Sequence, residues 1–283
     1  MVRGLLSRLT THHMPYELEL KVALEAAERA GTLILDHYAR FQAIPDAPAD
    51  ISTDTDRQSQ ALILQHIHQA FPSDALRAEE AQAALAGVAD AGARLWIVDP
   101  IDGTRGFARK NGEFSVMVAF VEAGMPAVGV VAEPAQQRLT YAVRGAGCWK
   151  RDKTSDSPVR CRATMTRELA EATVVQSHSR KGARPSRQLE ALKPARVVET
   201  YSAGIKLAIV ARGEADLYLN TYDACHDWDI CAGQVLVEEA GGHVTNLRGD
   251  EPRYGLPGAV QAHGLLASNG VLHDVALAAL VEK

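Results

Sequence analysis

Apolar positions recur at three- and four-residue steps from Leu20 through Leu24, Ala27, Gly31 and Ile34 to Tyr38, with Glu19, Glu25, Glu28 and Arg29 between them. That spacing predicts an amphipathic helix over 16–40. The Pro/Ala/Asp stretch at 45–50 reads as a loop. A second helix is predicted from Thr55-Asp56 to about Ala70, capped by Thr53 or Thr55 and broken by Pro72-Ser73-Asp74. Residues 81–93, rich in Ala and Gly, read as a surface excursion. The pattern then changes to shorter apolar runs at 94–98, 114–123, 126–133 and 138–144, which predict strands. Asn111-Gly112, Gly124-Met125-Pro126 and Gly145-Ala146-Gly147 are their turn signals.

The polar stretch at 150–158 reads as a loop or a lobe boundary. Beyond it the pattern predicts a strand at 172–176, a short helix at 186–192, and a helix at 203–212 ended by Gly213. A strand at 215–219, a helix at 228–240 closed by Gly241-Gly242, a strand at 263–267 and a helix at 271–281 follow. The expected organisation is therefore an α/β lobe over 16–150 and another over 151–283. Residues 1–15 read as a disordered extension.

Composition narrows the function classes. An apolar fraction of 47% over 283 residues allows a large core. A net charge of −5 leaves no basic footprint, which argues against duplex nucleic acid as a partner. No apolar run approaches the ~20 residues that span a bilayer. The opening residues lack the hydrophobic stretch of a secretory signal. Cys148, Cys161, Cys225 and Cys231 show no C-x-x-C spacing and read as free thiols in a reducing, cytoplasmic compartment.

The chemistry concentrates in Leu95-Trp96-Ile97-Val98-Asp99-Pro100-Ile101-Asp102-Gly103-Thr104. An apolar strand is expected to stop at Pro100, which has no N–H to donate. Two carboxylates at the mouth of a buried strand are costly unless something neutralises them, and a divalent cation is the simplest neutraliser. A second acidic pair, Glu79-Glu80, lies upstream. Trp228-Asp229 opens the helix that ends at Gly241-Gly242. Each acid has a simpler reading as a solvated carboxylate or a helix cap, strongest for Asp56 behind Thr53-Asp54-Thr55 and for Asp229 at its helix start.

Together these blocks resemble the inositol-monophosphatase superfamily of Mg²⁺-dependent phosphomonoesterases, over roughly residues 17 to 280. The resemblance rests on Glu79-Glu80, on Asp99 to Thr104, and on Trp228-Asp229 with Ala232-Gly233 and Glu239-Ala240-Gly241-Gly242. It implies an α/β fold, a layered αβαβα sandwich. It also implies that Glu79, Asp99 and the carbonyl of Ile101 hold one Mg²⁺. Asp99, Asp102 and Asp229 share a second, and Asp56 with Glu79 holds a third. Thr104 would orient the attacking water by passing its own hydrogen bond to Asp56 or Glu79. Otherwise it merely caps the next turn. The Gly103 and Thr104 amides are expected to face the phosphate. A homodimer is common in the superfamily.

Substrate choice rests on the second lobe. Ser177-His178-Ser179-Arg180-Lys181 and Ser202-Ala203-Gly204-Ile205-Lys206 resemble the 3′(2′),5′-bisphosphate nucleotidase branch. In that branch His178 would sit against the nucleotide. Ser202, Gly204 and Lys206 would meet the substrate, with Lys206 facing a second phosphate. The alternatives are a structural hydrogen bond for His178 and a snorkelling Lys206. Arg180 and Lys181 are either solvated or near a phosphate. Asn220 follows Ala215-Asp216-Leu217-Tyr218-Leu219 where inositol phosphatases carry a glutamate. One departure is the absence of a lysine in 45–50. The expected activity is hydrolysis of adenosine 3′,5′-bisphosphate to AMP, as part of sulfate assimilation. An inositol or sugar-alcohol monophosphatase is the alternative, and a degenerate nucleotide or metal sensor is the non-enzyme one.

Overall fold

The computed structural model describes residues 14–281 except 49, 81–86, 156, 180, 181 and 183. Most of the proposed N-terminal extension, the start of the 81–93 excursion, Arg180 and Lys181 lie outside the described residues.

The first lobe opens with α1 (Glu17–Arg40) and α2 (Asp54–Ala70). A seven-stranded sheet follows in chain order: β1 (Ala75–Ala78), β2 (Arg94–Asp102), β3 (Ser115–Glu122), β4 (Met125–Glu133), β5 (Arg138–Val143), β6 (Gly147–Arg151) and β7 (Val159–Arg160). Only β1 and β2 are parallel; the rest form an antiparallel meander. The one-turn helix α3 (Thr104–Ala108) interrupts the run after β2.

Alternation explains how this sheet can be covered on both faces. Trp96, Val98, Val116, Val118, Phe120, Val128 and Val130 point to one side and pack with Leu20, Leu24, Ala27, Ile34, Ile63 and Ile67 of α1 and α2. Ile97, Met117, Ala119 and Val131 point to the other and join a second core.

That second core is centred on two helices, α5 (Ala203–Ala211) and α6 (Asp227–Glu239), which lie between the large sheet and a second one. The second sheet contains β8 (Thr173–Gln176), β9 (Arg196–Glu199), β10 (Leu217–Asn220), β12 (His243–Thr245) and β14 (Leu265–Ser268), in the order β12-β14-β10-β8-β9. Its far face is covered by α4 (Arg187–Leu192) and α7 (His273–Val281) around Val174, Leu217, Leu219 and Leu266. A separate ribbon pairs β11 (Ala224–His226) with β13 (Val260–Ala262). The layers are therefore αβαβα, as expected. Among the described residues no helix is long and apolar enough to cross a membrane.

Several short strands, β1, β6, β7, β9 and β11 to β13, escape the sequence pattern. Two to five residues give alternation too few positions to register. The first described residues are not loose: Met14 packs against the α1 core, and the Tyr16 hydroxyl donates to Glu122 at 2.7 Å.

Candidate active site

Pro100 does not end β2 as expected. The strand continues to Asp102, and its register with β3 slips between Asp99, opposite Met117, and Asp102, opposite Ser115. The slip is a β-bulge, the place where a strand tolerates a residue without an N–H. Its consequence is chemical. Residues three apart on a regular strand point to opposite faces. The extra residue restores them to one side, and oxygens of Asp99, Asp102 and Asp229 lie within 4.8 Å of one another. Gly103 then turns the chain at φ 82°, where a Cβ would come within 2.7 Å of the Glu113 carbonyl oxygen. Only glycine fits there.

Other elements deliver the remaining acids. The parallel pairing of β1 with β2 runs from Ala75 opposite Leu95 to Ala78 opposite Val98, so the next step sets Glu79 beside Asp99. Gln60 of α2 grips the neighbouring residue through both ends of its side-chain amide, Nε2 donating to the Glu80 carbonyl at 2.6 Å and Oε1 accepting from the Glu80 backbone N–H at 2.9 Å. Asp56 is wholly buried in the first turn of α2. Its Oδ2 accepts from the Thr53 amide at 2.9 Å, and its Oδ1 accepts from the Thr104 hydroxyl at 2.9 Å. Asp56 thus caps α2 through one oxygen and meets Thr104 through the other. The Ile101 carbonyl is a second acceptor for Thr104, also at 2.9 Å. One hydroxyl has one proton, so it serves one of the two at a time.

Asp229 is the third residue of α6, and its Oδ2 accepts from the His226 amide at 2.6 Å. The sequence reading missed what fixes this helix against β1. Arg77 and Asp227 form a buried ion pair at 2.6 Å. Arg77 also donates to the carbonyls of Leu256 and Asp90, and Gln261 donates to the second Asp227 oxygen at 2.8 Å. Each partner stands two residues before an acid of the site, Glu79 or Asp229. The pair therefore splices two distant segments at the point where their acids must meet. An arginine inside the apolar run Ala75-Leu76-Arg77-Ala78 was the available signal.

The protein surrounds the two β2 acids differently. Asp102 accepts from the Ala203 amide at 3.1 Å, the Gly204 amide at 2.7 Å, the Ser115 hydroxyl at 3.1 Å and the Ser202 hydroxyl. Asp99 is 2% exposed, and its Oδ1 has no hydrogen-bond partner. Burial, then the charges of Glu79, Asp102, Asp229 and Asp56, push the Asp99 carboxyl well above the ordinary range. Burial and then Asp229, Asp56, Glu80 and Asp102 push Glu79 up to about 8. Burial also raises Asp102 and Asp56, opposed by their hydrogen bonds. A buried orphan oxygen among like charges fits a hard divalent cation, whose ligands are carboxylate and carbonyl oxygens.

The expected substrate residues of the second lobe are placed differently from their expectation. Ser202 caps α5, accepting from the Ile205 amide at 2.9 Å, and with Gly204 it supports Asp102 from behind. A Cβ on Gly204 would meet Ser115 Oγ at 2.7 Å and Met117 Sδ at 2.8 Å. Lys206 is neither snorkelling nor facing the cleft. It is 1% exposed, and Nζ donates to Ser177 Oγ at 3.2 Å, Thr200 O at 3.0 Å and Tyr201 O at 2.9 Å. All three protons are committed, which corrects its assignment to a second phosphate. Burial pulls Lys206 down to about 8 despite Asp102, Glu113 and Asp229.

His178 stands further out. Its Nε2 lies 2.6 Å from Glu113 Oε2, and its ring lies 4.4 Å from that of Tyr201. Arg105 and Arg109 approach the same tyrosine ring at 5.4 and 5.8 Å. The tyrosine ring thus gathers two guanidinium groups and the His178 imidazole, whose Nδ1 also lies 3.6 Å from Glu199 Oε2.

Comparison with known proteins agrees with this geometry. The model of the inositol monophosphatase family matches residues 16–283. A fructose-1,6-bisphosphatase/inositol-1-monophosphatase of Thermotoga maritima is 30% identical over 257 residues, covering 90% of this chain and 93% of that protein. A histidinol-phosphatase of Mycobacterium tuberculosis is 31% identical over 269 residues, covering 93% and 97%. The solved inositol monophosphatase of Anabaena superposes with a TM-score of 0.75 at 28% identity, covering 94% of this chain and 96% of that one.

Proposed function

The chain belongs to the inositol monophosphatase family of metal-dependent phosphatases, and on that premise we propose that it is a Mg²⁺-dependent phosphomonoesterase that removes the 3′-phosphate of adenosine 3′,5′-bisphosphate to leave AMP. The observation that carries the hydrolytic reading is the convergence of Asp99, Asp102 and Asp229 beside a threonine hydroxyl already bonded to Asp56. Glu79, Asp99, Asp102, Asp229, Asp56 and the Ile101 carbonyl would hold two or three ions. When bound, Mg²⁺ neutralises the phosphoryl oxygens and acidifies a water. Thr104, donating its hydrogen bond to Asp56, would keep its oxygen lone pairs free to accept from a water and orient it toward phosphorus. Asp56 and Glu79 are the carboxylates proposed to receive the water's proton. The Gly103 and Thr104 amides would face the phosphate.

The Tyr201 ring, with His178 beside it and Arg105 and Arg109 approaching it, supports a nucleotide carrying a second anionic group. The second reading is an inositol monophosphatase, favoured by the names of the relatives at about this identity. Phosphate release from adenosine 3′,5′-bisphosphate and from inositol 1-phosphate decides between them. A higher kcat/KM on the nucleotide is expected; a clear preference for the inositol ester overturns the substrate assignment and leaves the metal chemistry standing.

A further inference from the structure

Arg105 and Arg109 take no part in the chemistry above, yet the fold brings both to one aromatic ring at the edge of the site. Arg105 directly follows Thr104 in α3, and Arg109 closes the same turn. Tyr201, whose ring they share, directly precedes Ser202, which holds Asp102. The ring is thus tied on one side to the acids and flanked on the other by His178.

Two guanidinium groups at one ring repel each other unless an anion lies between or beside them. The two acids at His178, Glu113 and Glu199, are engaged with it and not with the arginines. Glu113 Oε2 is occupied by His178 Nε2 at 2.6 Å and by the Tyr201 amide at 3.1 Å. No ion pair joins either arginine to a carboxylate among the described residues, and the buried Arg105 Nε has no hydrogen-bond partner. An arginine over an aromatic face keeps its planar N–H edge free, which is the geometry that reads a phosphate through paired hydrogen bonds.

We propose that Arg105 and Arg109, presented on Tyr201, bind the second phosphate of a bisphosphorylated substrate while the first is cleaved at the acids. This deepens the bisphosphate reading of the preceding subsection and takes over the role that Lys206, with its protons committed, does not fill. It makes Arg105 and Arg109 specificity-determining residues.

The test compares substrates that share the reacting ester and differ in the second phosphate: adenosine 3′,5′-bisphosphate against adenosine 3′-monophosphate, and inositol 1,4-bisphosphate against inositol 1-phosphate. The readout is the ratio of kcat/KM within each pair. Arg105→Ala and Arg109→Ala are each expected to lower that ratio by ~10-fold or more, the size of a lost charge-assisted hydrogen bond. Arg105→Lys should recover part of it, since the charge is kept and the fork is lost. AMP, which retains the second phosphate, should inhibit both alanine variants more weakly, whereas inhibition by orthophosphate should change less. Thermal melting checks that the variants fold. Ratios that stay at the wild-type value, whether total activity falls or not, overturn the proposal and make the arginines supports of the Thr104 turn. A wild-type preference for the inositol pair overturns only the nucleotide assignment, because the ratio within that pair still reads the second phosphate.

Discussion

Asp102 accepts hydrogen bonds from two serine hydroxyls and two backbone amides, whereas Asp99, on the same strand, keeps a buried oxygen that no donor reaches. The bulge at Pro100 gives both the same side of the sheet, so orientation does not separate them. Their neighbours do. Asp102 faces the start of α5, where free amides are plentiful. Asp99 faces Glu79 and the other acids, and among the described residues no donor reaches its Oδ1. Asp102 is hydrogen-bonded in advance; Asp99, bare and crowded by its own kind, is the acid proposed to gain most from a cation.

The sharpest way to break that contrast is Asp99→Asn. Turnover on any phosphomonoester should fall by ~10³-fold or more, the scale of losing several kcal/mol of metal-borne stabilisation. The metal-free protein should melt no lower than wild type, because one repelling charge is gone. Wild-type turnover in this variant would remove Asp99 from the ligand set.

Thr104→Ala comes next. Loss of the hydroxyl that orients the water should lower kcat by ~10²-fold or more, while Thr104→Ser retains most activity. Equal kcat for the alanine and serine variants would reduce Thr104 to a turn cap.

Asp102→Asn should behave unlike Asp99→Asn. Replacing one acceptor oxygen by an amide group leaves buried donors of Ser202 or Gly204 without a partner, at a cost of ~1–3 kcal/mol in urea unfolding without metal. Matching stabilities for the two asparagine variants would erase the distinction.

A pH slope tests the same crowding without a substitution. Glu79 is pushed up to about 8 by burial and neighbouring charge, whereas the unfolded chain leaves it in the ordinary carboxylate range. Between those values the folded state binds the proton more tightly. The stability of metal-free protein therefore falls as pH rises from about 5 to about 8, then levels off. Saturating Mg²⁺ should flatten this slope, as a pair of melting series with and without chelator would read. A metal-free series that rises over the same window contradicts the crowding of acids around Glu79.

The contrast between the two acids was only half legible in the sequence. An apolar run ending in Asp99-Pro-Ile-Asp102-Gly-Thr104 signals acids at a strand mouth, and the layered fold follows from helical and strand periods plus resemblance. The bulge was not legible, because Pro100 reads as a stop until β3 is there to pair around it. Ser202, Gly204 and Lys206 are read as substrate contacts from the resemblance, with a lysine in an apolar helix as the one local signal. Their partners, however, are Asp102 and the carbonyls of Thr200 and Tyr201, which only the tertiary fold supplies. The Arg77–Asp227 splice and the Arg105–Tyr201 contact each join residues far apart in the chain. No local pattern encodes such pairs.

The most direct test is anomalous diffraction from crystals soaked in Mn²⁺, which takes the same oxygen ligands as Mg²⁺ and can be located by its own signal. The account predicts at least one peak among Glu79, Asp99, Asp102 and Asp229, with the formerly bare Asp99 oxygen at coordination distance of ~2.0–2.3 Å. A hydrolytically active crystal with no peak among those acids at saturating Mn²⁺ would contradict it.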